Sequence, residues 1–186
     1  VRYSKSGGTG GFSAISPVGG TNVRGGNTAT TAFSFTDGTP PTTTLSNATN
    51  LGLIFNGGLE TVGNGVQFTV GGDVNTERQI RIWGGGYDGQ GTLVASLNGA
   101  PNVTLLSQTY ATESPKLSTL FTINYRPDNP GDLLTLRYTL TTNGPSTNAH
   151  VGFQAAAISA VPEPGSLAAL AIGGLLLAAR RRRTQG

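Results

Sequence analysis

The chain has no cysteine, one tryptophan, one histidine and only 11% charged residues. Without cysteine there can be no disulfide, no zinc-thiolate centre, no thiol nucleophile and no iron–sulfur cluster. The low charge excludes a helical bundle or coiled coil, which draws on Ala, Leu, Glu and Lys. It also argues against wholesale disorder, since disordered chains are highly charged and poor in β-branched and aromatic residues. A basic stripe is missing too. The isoelectric point near 9.6 arises from Arg180, Arg181, Arg182 and Arg183 set against Glu163, because residues 1–160 hold as many acidic as basic side chains. A body of that kind lacks the phosphate-neutralising charge that nucleic-acid binding requires, so no nucleic-acid partner is expected. Val1-Arg2-Tyr3 opens the chain with no methionine and no apolar leader, and a fragment of a longer protein is expected.

What the chain does contain is 29 Gly, 26 Thr, 13 Ser and 13 Asn, a composition of turns and β-branched residues. The clearest strand is 134–141, where Leu134, Leu136, Tyr138 and Leu140 alternate with Thr135, Arg137, Thr139 and Thr141. Similar alternation marks Phe121, Ile123 and Tyr125; Val66, Phe68 and Val70; Ile80 and Ile82; and Leu93, Ala95 and Leu97. Residues 33–36, 51–55 and 151–158 are weaker candidates. Between them lie Asp37-Gly38, Asn56-Gly57-Gly58, Asp88-Gly89, Asn98-Gly99, Asp128-Asn129-Pro130-Gly131 and Asn143-Gly144, each suited to tight reversal. About eight short strands predict an all-β domain over 1–160, an antiparallel β-sandwich of jelly-roll type, followed by a single hydrophobic C-terminal helix.

The composition changes at Val161-Pro162-Glu163-Pro164-Gly165-Ser166, continues into an apolar run over 167–179 and ends in four arginines. The prolines keep Val161 and Glu163 out of the helical region, giving an extended segment. Ser166 can cap a helix over 166–179, and the arginines complement its C-terminal dipole. Thirteen helical residues reach roughly 20 Å against a hydrocarbon core of about 30 Å, short for a permanent anchor. Arginine snorkelling and local thinning let such a helix cross marginally, and the positive-inside rule puts Arg180, Arg181, Arg182 and Arg183 in the cytoplasm.

Val161-Pro162-Glu163-Pro164, the short apolar helix and the terminal arginines resemble the PEP-CTERM protein-sorting tail of exopolysaccharide-producing Gram-negative bacteria. That resemblance implies export by the general secretory route and transient inner-membrane anchoring through the helix. It also implies recognition of the motif by an exosortase, a membrane cysteine protease, with release of the body to the cell surface or extracellular matrix. The body resembles a β-sandwich module of secreted bacterial proteins, often found beside carbohydrate-active domains. The resemblance rests on 33–40, 62–70, 76–82 and 134–139. Such modules carry a Trp-rich first strand that this chain lacks, which is why a fragment is expected.

Several residues invite a chemical reading. Gly84-Gly85-Gly86-Tyr87-Asp88-Gly89 satisfies the dinucleotide-loop pattern, but a strand rather than a helix follows, so a hairpin loop is expected. Trp83 and Tyr87 flank it. An indole face stacks on a sugar ring, and Asp88, Gln90 and Arg81 can hydrogen-bond hydroxyls; the alternative is packing at a sheet edge. Asp128, Asn129 and Asp132 can offer oxygens to Ca²⁺, a reading set against simple turn chemistry. Asp73 with Asn75 is a lesser pair of the same kind. His150 is expected to be a solvent-facing loop residue, and no nucleophile elbow surrounds Ser146 or any other serine. No acidic residue falls inside the clear strands, where a sandwich glycosidase displays its carboxylates. The Thr-rich stretch 28–44 lacks the fixed repeat of an ice-binding array.

The expectation is a non-catalytic exported body, structural or adhesive, without a cofactor and in contact with extracellular polysaccharide. A carbohydrate-binding accessory module is the alternative, and a small hydrolase the lesser one.

Overall fold

The computed structural model describes residues 11–20, 22–26, 35–36, 43–44, 53–97, 104–112 and 118–161, with 35–36, 43–44, 104–112 and Ser118 given by backbone alone. Among these are twelve strands: β1 (Ser16–Val18), β2 (Val23–Gly26), β3 (Phe35–Thr36), β4 (Thr43–Thr44), β5 (Leu53–Asn56), β6 (Gly65–Gly71), β7 (Arg78–Tyr87), β8 (Gly89–Leu97), β9 (Thr104–Thr112), β10 (Ser118–Tyr125), β11 (Leu133–Asn143) and β12 (His150–Ala160). The expected turns at Asp37-Gly38 and Asn98-Gly99, the helix over 166–179 and the rest of the tail from Pro162 lie outside the described residues.

Alternation of apolar and polar residues decides which way each strand faces. In β11, Leu134, Leu136, Tyr138 and Leu140 are buried while Arg137 is exposed. Its partners β6 and β8 obey the same rule, burying Val66, Phe68, Val70, Leu93, Ala95 and Leu97. The result is a back sheet of strand order β1-β6-β11-β8-β9. The front sheet, β10-β7-β12-β5-β2, contributes Ile80, Ile82, Phe121, Ile123, Tyr125, Val151 and Phe153 to the same core. Two antiparallel sheets thus enclose one hydrophobic cluster.

The strands β5 to β12 wrap as a jelly roll. Successive strands alternate between the two sheets, except that β8 and β9 are neighbours in the same sheet and pair with each other. The first two strands add an edge to each sheet, β1 beside β6 and β2 beside β5. At the β5–β6 crossing the buried Asn56 ties the two sheets together. Its Nδ2 donates to the carbonyls of Val18 (2.9 Å), Gly19 (2.6 Å) and Gly65 (3.1 Å), and its Oδ1 accepts from the Gly58 amide (2.8 Å). Tyr125 of β10 makes a second tie, donating to the Gly71 carbonyl of β6 at 2.6 Å.

Two sequence expectations change. The glycine run at 84–86 belongs to β7 and is not a loop. A β-carbon at Gly84 would lie 2.8 Å from Phe121 Cε2 and 3.3 Å from Tyr138 Cε1, so glycine leaves room for rings between the sheets. Those rings meet edge to face, with centroids 5.9 Å apart. The reversal falls two residues after the run, at Asp88, whose φ of 47° turns the chain from the front sheet to the back. The strand Thr104–Thr112 was not expected, because Leu105 and Leu106 stand side by side and break the alternation; pairing with β8 defines it.

Candidate functional site

The outward side of the front sheet carries the exposed chemistry. In β7 the core residues Ile80 and Ile82 alternate with Gln79, Arg81 and Trp83, which face away; Arg81 is exposed and Trp83 half-buried. The Cα partner of Trp83 on β10 is Leu120, 50% exposed, one of the large hydrophobic residues that the fold leaves in solvent. On the other side Trp83 pairs with Ala155 of β12. Register shifts between Phe153 and Ala155, so two residues of β12 stand opposite one of β7. Phe153 and Ala156 both pack on the core, which leaves Gln154 and Ala155 together on the Trp83 side. Gln154 Oε1 is buried with no hydrogen-bond donor among the described residues.

One step along the strand, Gly85 pairs with Gly152 of β12, and neither carries a side chain. Beyond this gap Tyr87 pairs with His150, whose ring stacks on Phe55 at a centroid distance of 4.1 Å and 26° between planes. The Tyr87 and His150 rings are 6.2 Å apart. An aromatic row therefore crosses β7, β12 and β5, and Trp83 stands about 13 Å from its Tyr87 end at the usual strand rise. Between them, Gly85 and Gly152 are both buried, so the aromatic row and Trp83 are separate features of the sheet.

His150 is not a loop residue; it begins β12. Its Nδ1 lies 2.5 Å from the Asn148 carbonyl, which can only accept, so Nδ1 carries the proton and the ring is fixed in the row. Neither His150 nor Phe55 is legible as a site residue in the sequence, since only the β5–β12 register brings them beside Tyr87.

The remaining sequence candidates have mainly local partners. Asp88 Oδ2 accepts from the Ser146 amide, and the Asp88 carbonyl accepts from the Gly144 amide at 2.8 Å, so this residue braces the β11–β12 connection next to Tyr87. Asp132 Oδ2 accepts from the Asn129 amide (3.3 Å) and Asn129 Nδ2 (3.2 Å), whereas Asp128 stands exposed in the same turn. Asp73 Oδ1 caps the Asn75 amide at 2.9 Å. Among the described residues no three acidic or histidine side chains converge as a metal site, and no helix is long and apolar enough to cross a membrane.

A family model described as "PEP-CTERM protein-sorting motif" matches residues 160–183. The chain thus carries this sorting motif, which implies export and exosortase-dependent sorting. Its first matched residue, Ala160, is the last residue of β12, and the Val161 amide donates to the Glu77 carbonyl at 2.8 Å. The motif therefore begins at the rim of the folded sheet, with no spacer. No curated protein matches the chain. A solved structure described as "CBM4 structure and function" is 18% identical, covers 59% of this chain and 69% of its own, and has a TM-score of 0.35. The enzymatically active domain of the bacteriophage CBA120 tailspike protein 4 is 11% identical, with a TM-score of 0.42; the match covers 81% of this chain but only 19% of the tailspike chain. Likenesses this slight identify neither a ligand nor an activity.

Proposed function

We propose that this is an exported cell-surface or matrix protein whose non-catalytic body holds extracellular polysaccharide on the outward side of its front sheet. Its export follows from the sorting motif at 160–183. In this reading an exosortase recognises Val161, Pro162, Glu163 and Pro164. The helix over 166–179 lodges transiently in the inner membrane, with Arg180, Arg181, Arg182 and Arg183 on the cytoplasmic side. Cleavage then releases a structural or adhesive body.

The observation that carries the polysaccharide reading is Trp83 beside the half-exposed Leu120 on a rigid sheet face. The C–H face of a pyranose ring would cover the exposed part of the half-buried Trp83 together with Leu120. Asp88 enters as the brace that fixes Tyr87 rather than as a sugar contact.

Two experiments test the two halves. The full chain should be retained on insoluble polysaccharide in a saturable manner that free oligosaccharide competes away, and Trp83→Ala should remove that retention while leaving the β-sheet spectrum intact. Unchanged retention in the variant would retire the site. Replacing Pro162, Glu163 and Pro164 by alanine should leave the protein in the membrane fraction of its host; normal release would sink the sorting half.

A further inference from the structure

The equal numbers of acidic and basic residues in the body conceal a separation that the fold makes visible. The described carboxylates, Glu60, Asp73, Glu77, Asp88, Asp128 and Asp132, all lie outside the strands, whereas Arg24, Arg78, Arg81 and Arg137 lie within them. The front-sheet strands contain three of these arginines and not one Asp or Glu. Arg78 sits at the end of β7, 4.0 Å from Asp73. Arg81 and Arg24 are exposed on the outward side, Arg24 opposite Phe55 and Arg81 two residues before Trp83.

Arg81 is held in place and left charged. Its Nε donates to Gln79 Oε1 at 3.1 Å, and Gln79 Nε2 donates to Asn124 Oδ1 on β10 at 3.1 Å. Among the described residues it has no carboxylate partner. Residues two apart on one strand stand about 6.5–7 Å from each other on the same side. A pyranose ring with a carboxylate on its exocyclic carbon spans that distance. With the ring on the Trp83 indole, its carboxylate meets the terminal nitrogens of the guanidinium.

We propose that the front face selects an acidic polysaccharide, with Trp83 stacking a uronate ring and Arg81 pairing with that ring's carboxylate. This inference rests on the polysaccharide reading above and adds the charge of the ligand. A neutral glycan would use the rings and leave the guanidinium idle. An acidic glycan uses both, and meets no strand carboxylate that would repel it. Guanidinium–carboxylate pairing is charge-assisted and can be bidentate, which orients the sugar as well as attracting it.

The test uses the full chain with polygalacturonate and alginate, each beside its fully esterified form, so that backbone and size stay constant while charge is removed. Binding to at least one acidic polymer should be about tenfold tighter than to its ester. The difference should collapse at about 1 M salt, where the screening length is about 3 Å. Arg81→Gln should abolish the preference, while Arg137→Gln, which removes the same charge from the back sheet, should preserve it. Equal affinity for acid and ester, with Trp83 still required, would overturn the charge selectivity and leave the polysaccharide reading standing. A preference lost equally in both arginine variants would assign the effect to net charge and overturn the proposed pairing. Retention of none of the four polymers would overturn the charge selectivity, and retention of neutral glycans by the same protein would then show whether the polysaccharide reading survives.

Discussion

On the back sheet, the positions that alternate with the core include Gln67, Thr69, Thr92, Ser96, Thr135 and Arg137. Across the core, the matching positions of the front sheet include Arg81, Trp83 and Leu120, and the outward aromatic row adds Phe55, Tyr87 and His150. Both sheets have five strands and share one core, so stability alone does not account for the contrast. Hydroxyls and amides predominate on the back face, beside Val94 and Arg137, as a solvated sheet requires. Keeping rings and an exposed leucine at the same depth on the other side marks that face for contact with something outside the molecule.

The largest effect should come from cutting into what the sheets share. Leu136 is fully buried in the back sheet, and Leu136→Ala should cost about 2–5 kcal/mol of stability. Because the core is common, Trp83 on the front sheet should report that loss as a single denaturant transition, coincident with circular dichroism. Two separate transitions would split the comparison into independent halves. Next in size, Trp83→Ala should weaken polysaccharide binding by about 2 kcal/mol or more, roughly thirtyfold. Val94→Ala, on the outward side of the back sheet, should leave titrated affinity unchanged; an equal loss would erase the distinction between the faces.

Asn56→Ala removes the amide that ties β5 to β1 and β6. It should lower stability by about 1–3 kcal/mol in urea melts, because buried backbone groups lose their partners. The smallest effect concerns Tyr125, the other tie between sheets. Burial pushes its hydroxyl pKa up from 10.0 to about 12, with Arg78 pulling the opposite way. The folded state thus favours the neutral phenol. Its contribution is complete below about pH 10 and is lost as the pH rises through about 12. Tyr125→Phe should cost about 1 kcal/mol at neutral pH and flatten the alkaline arm of the stability profile. An unchanged arm would assign alkaline unfolding to other groups.

The alternation of β6, β7, β10 and β11 was legible in the sequence because their buried residues recur at every second position, and this was enough to predict two facing antiparallel sheets. Residues 104–112 were not legible as a strand, since their pattern is broken and their partner supplies the order. Gly84, Gly85 and Gly86 read as a loop because glycine weakens strands, and the reason for tolerating Gly84, the rings of Phe121 and Tyr138, lies far away in sequence. Trp83 and Tyr87 stood out by residue type. Leu120, His150 and Phe55 did not, because their meaning comes from register: Leu120 opposite Trp83, and His150 opposite Tyr87. The charge partition was hidden for the same reason. Counting gave a neutral body, and only the placement of carboxylates in turns and arginines in strands shows that the front-sheet strands hold three arginines and no acid.

Emission from Trp83, the only tryptophan in the chain, measures the central claim at the proposed site itself. Titrating the full chain with oligosaccharide from a polymer that retains it should shift that emission along a saturable curve, with a midpoint equal to the affinity measured by competition. Retention on the polymer with an unchanged Trp83 spectrum would contradict the account, because binding would then lie away from the front face.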